Sequence, residues 1–134
     1  MEFKVGSSYA YSFKISQKEV EQFARLSGDF NPIHLNEEYA KKTRFGRTIV
    51  HGMHSASIIS KVLGMYFPGN GSVYLKQNLE FLRPIFPEQE YVVDIQLIAI
   101  DDKNRATLLT DIKDAKTNKK CIQGEAQVLL PSNL

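Results

Sequence analysis

The tetrapeptide Pro68-Gly69-Asn70-Gly71 divides the chain into two halves with different periodicities. Proline cannot continue a helix, and the two glycines tolerate backbone angles that other residues avoid, so whatever precedes this break ends there. Upstream, apolar residues recur at helical spacing. A long, mostly apolar helix is expected over about 52–67. Met53, Ala56, Ser57, Ser60 and Gly64 form a stripe of mostly small residues on it, which a wrapping sheet is expected to approach closely. Downstream, polarity alternates at every second residue. Val73, Leu75, Gln77, Leu79 and Phe81 fall on one face of a strand, and Tyr91, Val93, Ile95, Leu97 and Ala99 on one face of the next. Two more strands are expected at about 105–114 and 120–130. The turns between them, 101–104 and 115–119, are short, so neighbours run antiparallel.

The first fifty residues add a strand at about 8–15 and a helix that opens with a capping box, Ser16-Gln17-Lys18-Glu19. Val20, Phe23, Ala24 and Ser27 give that helix its apolar side, and Gly28 ends it. Asn36 reads as the N-cap of a second, short helix. Glu37 and Glu38 lie in its first turn and Lys41 and Lys42 in its last, an order that suits the helix dipole. Strand, helices, then four strands define an α+β domain spanning 1–134, with one long helix packed on an antiparallel sheet.

Bulk properties exclude several functions. A net charge of +2 spread along 134 residues does not suit dedicated nucleic-acid binding. One cysteine, Cys121, permits no internal disulfide, and it reads as a buried, inert thiol in a reducing compartment. The N-terminus carries charges where a signal peptide needs an apolar core, and the apolar run 49–67 is too polar to span a bilayer. The expected location is cytoplasmic or organelle-matrix, away from membranes. There is no P-loop and no dinucleotide fingerprint, so no cofactor is expected.

Chemistry concentrates in Gly28-Asp29-Phe30-Asn31-Pro32-Ile33-His34 and Ile49-Val50-His51-Gly52-Met53. Asp29 and His34, five apart, would diverge on a helix; across a proline-containing turn they can converge as an acid–base pair. Spacing alone equally fits a capping Asp29 and a surface His34. Gly52 opens the long helix, where unsatisfied N–H groups and partial positive charge can serve an oxyanion, or it merely allows close packing; both can hold. His51, His54 and His34 lack a clustered cysteine or second carboxylate. They read as a helix-entry His51 that satisfies backbone groups and a rim His54, rather than as a metal site. Ser60 either orients the Asp29 carboxylate or is small for packing. No Gly-x-Ser-x-Gly elbow supports a serine hydrolase.

Taken together, Phe23 to His34, Tyr39-Ala40, Thr43, Phe45-Gly46, Ile49 to Met53, Gly71 to Leu75 and Phe81 to Ile85 resemble the MaoC-like, (R)-specific enoyl-CoA hydratases. The resemblance implies a hot-dog fold, a sheet wrapped around the long helix. It also implies a homodimer with active sites at the subunit interface, and reversible hydration of trans-2-enoyl-CoA to (R)-3-hydroxyacyl-CoA. It assigns Asp29 and His34 as the acid–base pair, Asn31 as the residue shaping the loop, and the Gly52 N–H as the group polarising the thioester carbonyl. Ser60 is placed as support for Asp29. An acyl-CoA thioester is the implied substrate, with a carrier-protein thioester as a further possibility. Arg44, Arg47, Lys76 and Arg83 are candidate phosphate contacts. An acyl-CoA thioesterase and a non-catalytic acyl-CoA-binding module are the alternative readings on the same fold.

Overall fold

The local signals at Ser16 and Gly28 hold. The Ser16 hydroxyl accepts from the Glu19 N–H at 3.1 Å, and the Glu19 carboxylate accepts from the Ser16 N–H at 2.9 Å. Gly28 closes the same helix in the left-handed region, at φ 80°. In the computed structural model, which describes residues 3–132, the elements run β1 (Ser8–Lys14), α1 (Gln17–Ser27), α2 (Pro32–Leu35), α3 (Glu37–Lys41), α4 (Gly52–Met65), β2 (Val73–Phe81), β3 (Glu90–Ile100), β4 (Arg105–Asp114) and β5 (Lys120–Leu129). The strands form one antiparallel sheet in the order β1-β3-β4-β5-β2. This is the α+β hot-dog architecture, with α4 against the inner face of the sheet. Among the described residues no helix is long and apolar enough to cross a membrane.

The core lies between α4 and the three central strands. Ile59, Val62 and Leu63 meet inward residues such as Val93, Ile95, Leu108, Ile112, Ile122 and Val128. Burying side chains of this size contributes roughly 1.5–3 kcal/mol each. Cys121 is buried as expected, and burial pushes its thiol above the ordinary range.

Four expectations are corrected. The small-residue stripe of α4 is not the side that the sheet packs against: Met53 is 63% exposed, and Ser57 and Ser60 are exposed, while Ser55, Ala56, Ile59, Val62 and Leu63 are buried. Packing the sheet on the larger aliphatic side chains removes more apolar area from water, and that decides the helix's rotation. Next, β2 does not have one buried and one polar face. Every residue in it is exposed or half-buried, because it is an edge strand paired only with β5. Its register shifts between Tyr74 and Lys76, leaving Leu75 as the extra residue of a bulge. Lastly, α4 ends at Met65 rather than near 67, and the loop 29–35 contains the single helical turn α2.

The displaced stripe lines a groove of about 450 Å³ whose far wall is β2, through Tyr74, Leu75, Lys76, Gln77 and Leu79. Its polar floor is a short chain of hydrogen bonds. The Tyr74 hydroxyl donates to the Gln77 side-chain oxygen, and Gln77 Nε2 donates to the buried Thr110 hydroxyl at 2.9 Å. Burial pushes the Tyr74 phenol up to about 12.

Candidate active site

The loop after α1 is shaped by its own side chains. The Asn31 N–H donates to Asp29 Oδ1 at 3.1 Å, and Asn31 Oδ1 accepts from the Ile33 N–H at 3.2 Å, capping α2. Pro32 sits in the first turn, where a missing N–H costs nothing. This turn carries His34 back toward Asp29. His34 is only 8% exposed; its Nδ1–H donates to the Ile49 carbonyl at 2.7 Å, which leaves Nε2 as the available nitrogen. Its backbone is anchored from α1, where Gln17 Nε2 donates to the His34 carbonyl at 2.9 Å. Thr48, also buried, places its hydroxyl 2.9 Å from the Gln17 amide oxygen and 2.8 Å from a Glu37 carboxylate oxygen, tying α1, α3 and the entry to α4 together.

His51 is the residue whose weight the motif alone did not reveal. It is 2% exposed, its Nε2–H donates to the Asp29 backbone carbonyl at 3.0 Å, and its ring stacks on that of His34 at 3.9 Å and 25°. Phe23 of α1 closes the other side, 5.0 Å from the His51 ring and stacked on His54 at 4.6 Å. Helix entry and contact with a backbone group, the roles read for His51, are both present. His54 is half-buried, and its Nδ1 is buried with no hydrogen-bond partner. Burial lowers the affinity of both His34 and His54 for a proton, and the charge of His51 lowers it further; the Ile49 carbonyl and Asp29 act in the opposite direction on His34, and Glu19 on His54.

His34, Gly52 and Ser55 line one cavity of about 280 Å³, together with Phe81 and the cations Arg44 and Arg83. Gly52 is the first residue of α4, so its N–H has no acceptor within the helix. A Cβ on Gly52 would lie 2.9 Å from the Phe81 ring, so the glycine also serves packing. Ligand atoms of Asp29, His34 and His51 lie within 4.8 Å of one another, yet no hydrogen bond joins Asp29 to His34. The spacing leaves room for a small reacting group between them. It suits a divalent cation poorly, because the two rings stack face to face instead of converging on one point.

The expected residues are thus mostly brought together. Asp29 lies beside His34, Asn31 bonds to Asp29, and His34 and Gly52 line one cavity. Ser60 does not join them; it lies two turns along α4 in the β2 groove, with no hydrogen bond to Asp29. Ser55, one turn after Gly52, is the buried serine at the cavity. Its spacing from Gly52 is the signal that could have found it. Of the four proposed phosphate contacts, Arg44 and Arg83 reach the cavity and Lys76 lines the groove. Arg47 is committed elsewhere, 3.8 Å over the Phe86 ring and bonded to the Gln89 side-chain oxygen.

A long helix backed by an antiparallel sheet, with an aspartate and a histidine held beside the helix's free N–H end, defines a hot-dog protein equipped for acid–base chemistry. The MaoC like domain model matches residues 4–119, and the chain belongs to that family. It is 43% identical over 129 residues to the (R)-specific enoyl-CoA hydratase of Aeromonas caviae, covering 96% of each chain. It is 36% identical to the 3-hydroxybutyryl-CoA dehydratase of Methylorubrum extorquens, covering 97% of this chain and 82% of that one. The solved (R)-hydratase from A. caviae involved in PHA biosynthesis superimposes with a TM-score of 0.92 at 42% identity, covering 96% of this chain and 98% of that one.

Proposed function

We propose that this protein is a hydro-lyase that adds water reversibly to trans-2-enoyl-CoA, giving (R)-3-hydroxyacyl-CoA. One observation carries the reading: His34 and the N–H end of α4 line a single cavity, with an Asp29 carboxylate oxygen within 4.8 Å of a His34 ring nitrogen, in a chain whose A. caviae relative bears that enzyme name. In the hydration direction the water oxygen bonds to C3. The π electron pair of C2=C3 moves toward the thioester, and negative charge builds on its carbonyl oxygen. The Gly52 N–H donates to that oxygen, where donors aimed at developing charge are most effective. His34, kept neutral by burial and with Nδ1–H fixed on Ile49, offers Nε2 to the proton of the water. The Asp29 carboxylate across the gap orients the same water. The proton taken from water is returned at C2, so the elements of one water molecule are added and the pair ends as it began. Arg44 and Arg83, at the cavity, suit the phosphate-bearing arm of the thioester.

The protein acts as a homodimer in this proposal, joined along the exposed β2 edge. Val73, Leu75 and Phe81 support that reading, since all are exposed on a strand with an unpaired outer edge. A reducing, cytoplasmic setting agrees with the lone buried Cys121.

Purified protein mixed with crotonyl-CoA tests the reaction, followed as loss of the enoyl-thioester absorbance with chiral resolution of the product. Release of free thiol, read with a thiol reagent, would instead indicate a thioesterase. Binding without turnover would indicate an acyl-CoA-binding module. Light scattering gives the assembly.

A further inference from the structure

The N-caps of the helices separate into two kinds. The side chains of Ser16, Asn31 and Asn36 each accept a hydrogen bond from their own helix. His51, the N-cap of α4, makes none. Its side chain turns away from the helix that it starts and reaches the loop before α2, where Nε2–H meets the Asp29 carbonyl at 3.0 Å. The ring then lies flat against His34. Its Nδ1 is left buried without a partner, a desolvation cost that a serine or asparagine cap would avoid. No gain for α4 itself offsets this arrangement. What it fixes is the relative position of three groups: the Asp29 loop, the His34 ring and the Gly52 N–H that follows His51 in the chain.

We infer that His51 is a positioning residue for the hydration step, holding the acid–base pair and the oxyanion donor in one geometry chiefly through its Nε2–H on the Asp29 carbonyl, with the stack on His34 secondary. This rests on the hydratase reading. His51 does not line the cavity; it acts through Asp29, His34 and Gly52. Small displacements of such groups have large kinetic effects, because the reacting atoms must be held in near-attack geometry.

Two substitutions separate its two contacts. His51→Phe retains the volume and the ring stack but removes the N–H. His51→Gln places an amide N–H near the position of Nε2 and removes the ring. With crotonyl-CoA, His51→Phe lowers kcat by about 100-fold with KM little changed, and His51→Gln recovers most of that loss. A second readout uses charge. His34 faces Asp29, the Ile49 carbonyl and the His51 ring, with Arg44 and Arg83 lining the same cavity; the charged form of His51 opposes protonation of His34. In His51→Gln that opposition is gone, so the acid limb of kcat/KM moves to higher pH. Thermal unfolding confirms that each variant is folded. Should His51→Phe fail to fold, His51→Ala replaces it: a kcat loss that His51→Gln does not share supports the inference, and wild-type kcat in His51→Ala overturns it. Wild-type kcat in His51→Phe, or equal losses in both variants, also overturns it. If the wild-type protein hydrates no enoyl-CoA, the hydratase reading fails instead, and that outcome is seen before any variant is made.

Discussion

On one side of the start of α4, Gly52 and Ser55 face a cavity lined by His34, whose ring stacks on His51, and both imidazoles are tied to backbone carbonyls. On the other, Met53, Ser57 and Ser60 face a groove whose far wall is a strand with no fully buried residue. The first side is the more enclosed: both imidazoles bond to backbone carbonyls and their rings stack, although His51 Nδ1 and His54 Nδ1 are buried without partners. The second is wide and apolar, and its wall ends at an open sheet edge. The same helix thus gives a fixed chemical centre on one side and an unfilled surface on the other. What separates them is the placement of large aliphatic residues at Ile59, Val62 and Leu63, which sets how α4 turns against the sheet.

The largest test of this contrast is chemical. Asp29→Asn and His34→Ala should each lower kcat for enoyl-CoA hydration by about 10²- to 10⁴-fold, whereas Ser60→Ala should remain within about tenfold of the parent. A Ser60 loss as large as that of His34 would show that groove and cavity form one centre in the assembled protein. A second test concerns the pivot between the two sides. Ile59→Ala empties a fully buried position, so urea unfolding should show a loss of about 2–5 kcal/mol. Met53→Ala, on the open side, should leave monomer stability within about 0.5 kcal/mol but weaken self-association measured by dilution. Third, Gly52→Ala drives a Cβ toward the Phe81 ring. Overpacking of this kind costs about 1–3 kcal/mol, at the low end here because Phe81 is 53% exposed and can swing aside. Adding Phe81→Leu should restore stability, and activity as well if the glycine's role at this position is steric.

The smallest effect is titration. His34 and His54 hold protons less readily folded than unfolded. Between their lowered folded values and the ordinary 6.5, the unfolded chain binds more protons, so stability rises with pH through that window and flattens above it. The melting temperature should therefore fall as pH drops below 6.5. His54→Gln should flatten part of that slope, and His34→Gln the part that arises at the cavity.

Legibility in the sequence followed locality. The Ser16 capping box, the Gly28 terminator, the alternation of β3 and the spans of β4 and β5 depend on neighbours within a few residues, and they fell where the pattern placed them. Asp29, Asn31 and His34 were legible because one short turn holds all three. The Ser55–Ser60 distinction was not, because it depends on which face of α4 the sheet selects, a competition among residues far apart in the chain. The bond from His51 to the Asp29 carbonyl was hidden for a similar reason: its partner is a backbone group, which every residue carries. For β2, alternation predicted two unlike faces, but strand order, set by tertiary contacts, put it at an edge.

The bulge at Leu75 has a further consequence for that edge. An exposed, apolar border strand is a template on which other chains can add, one after another. The extra residue interrupts the regular ladder near the strand's start and increases the local twist. A straight, flat stretch long enough to seed open-ended stacking is thereby shortened to the residues after the bulge. The same irregularity can thus leave room for one matched partner while discouraging fibres.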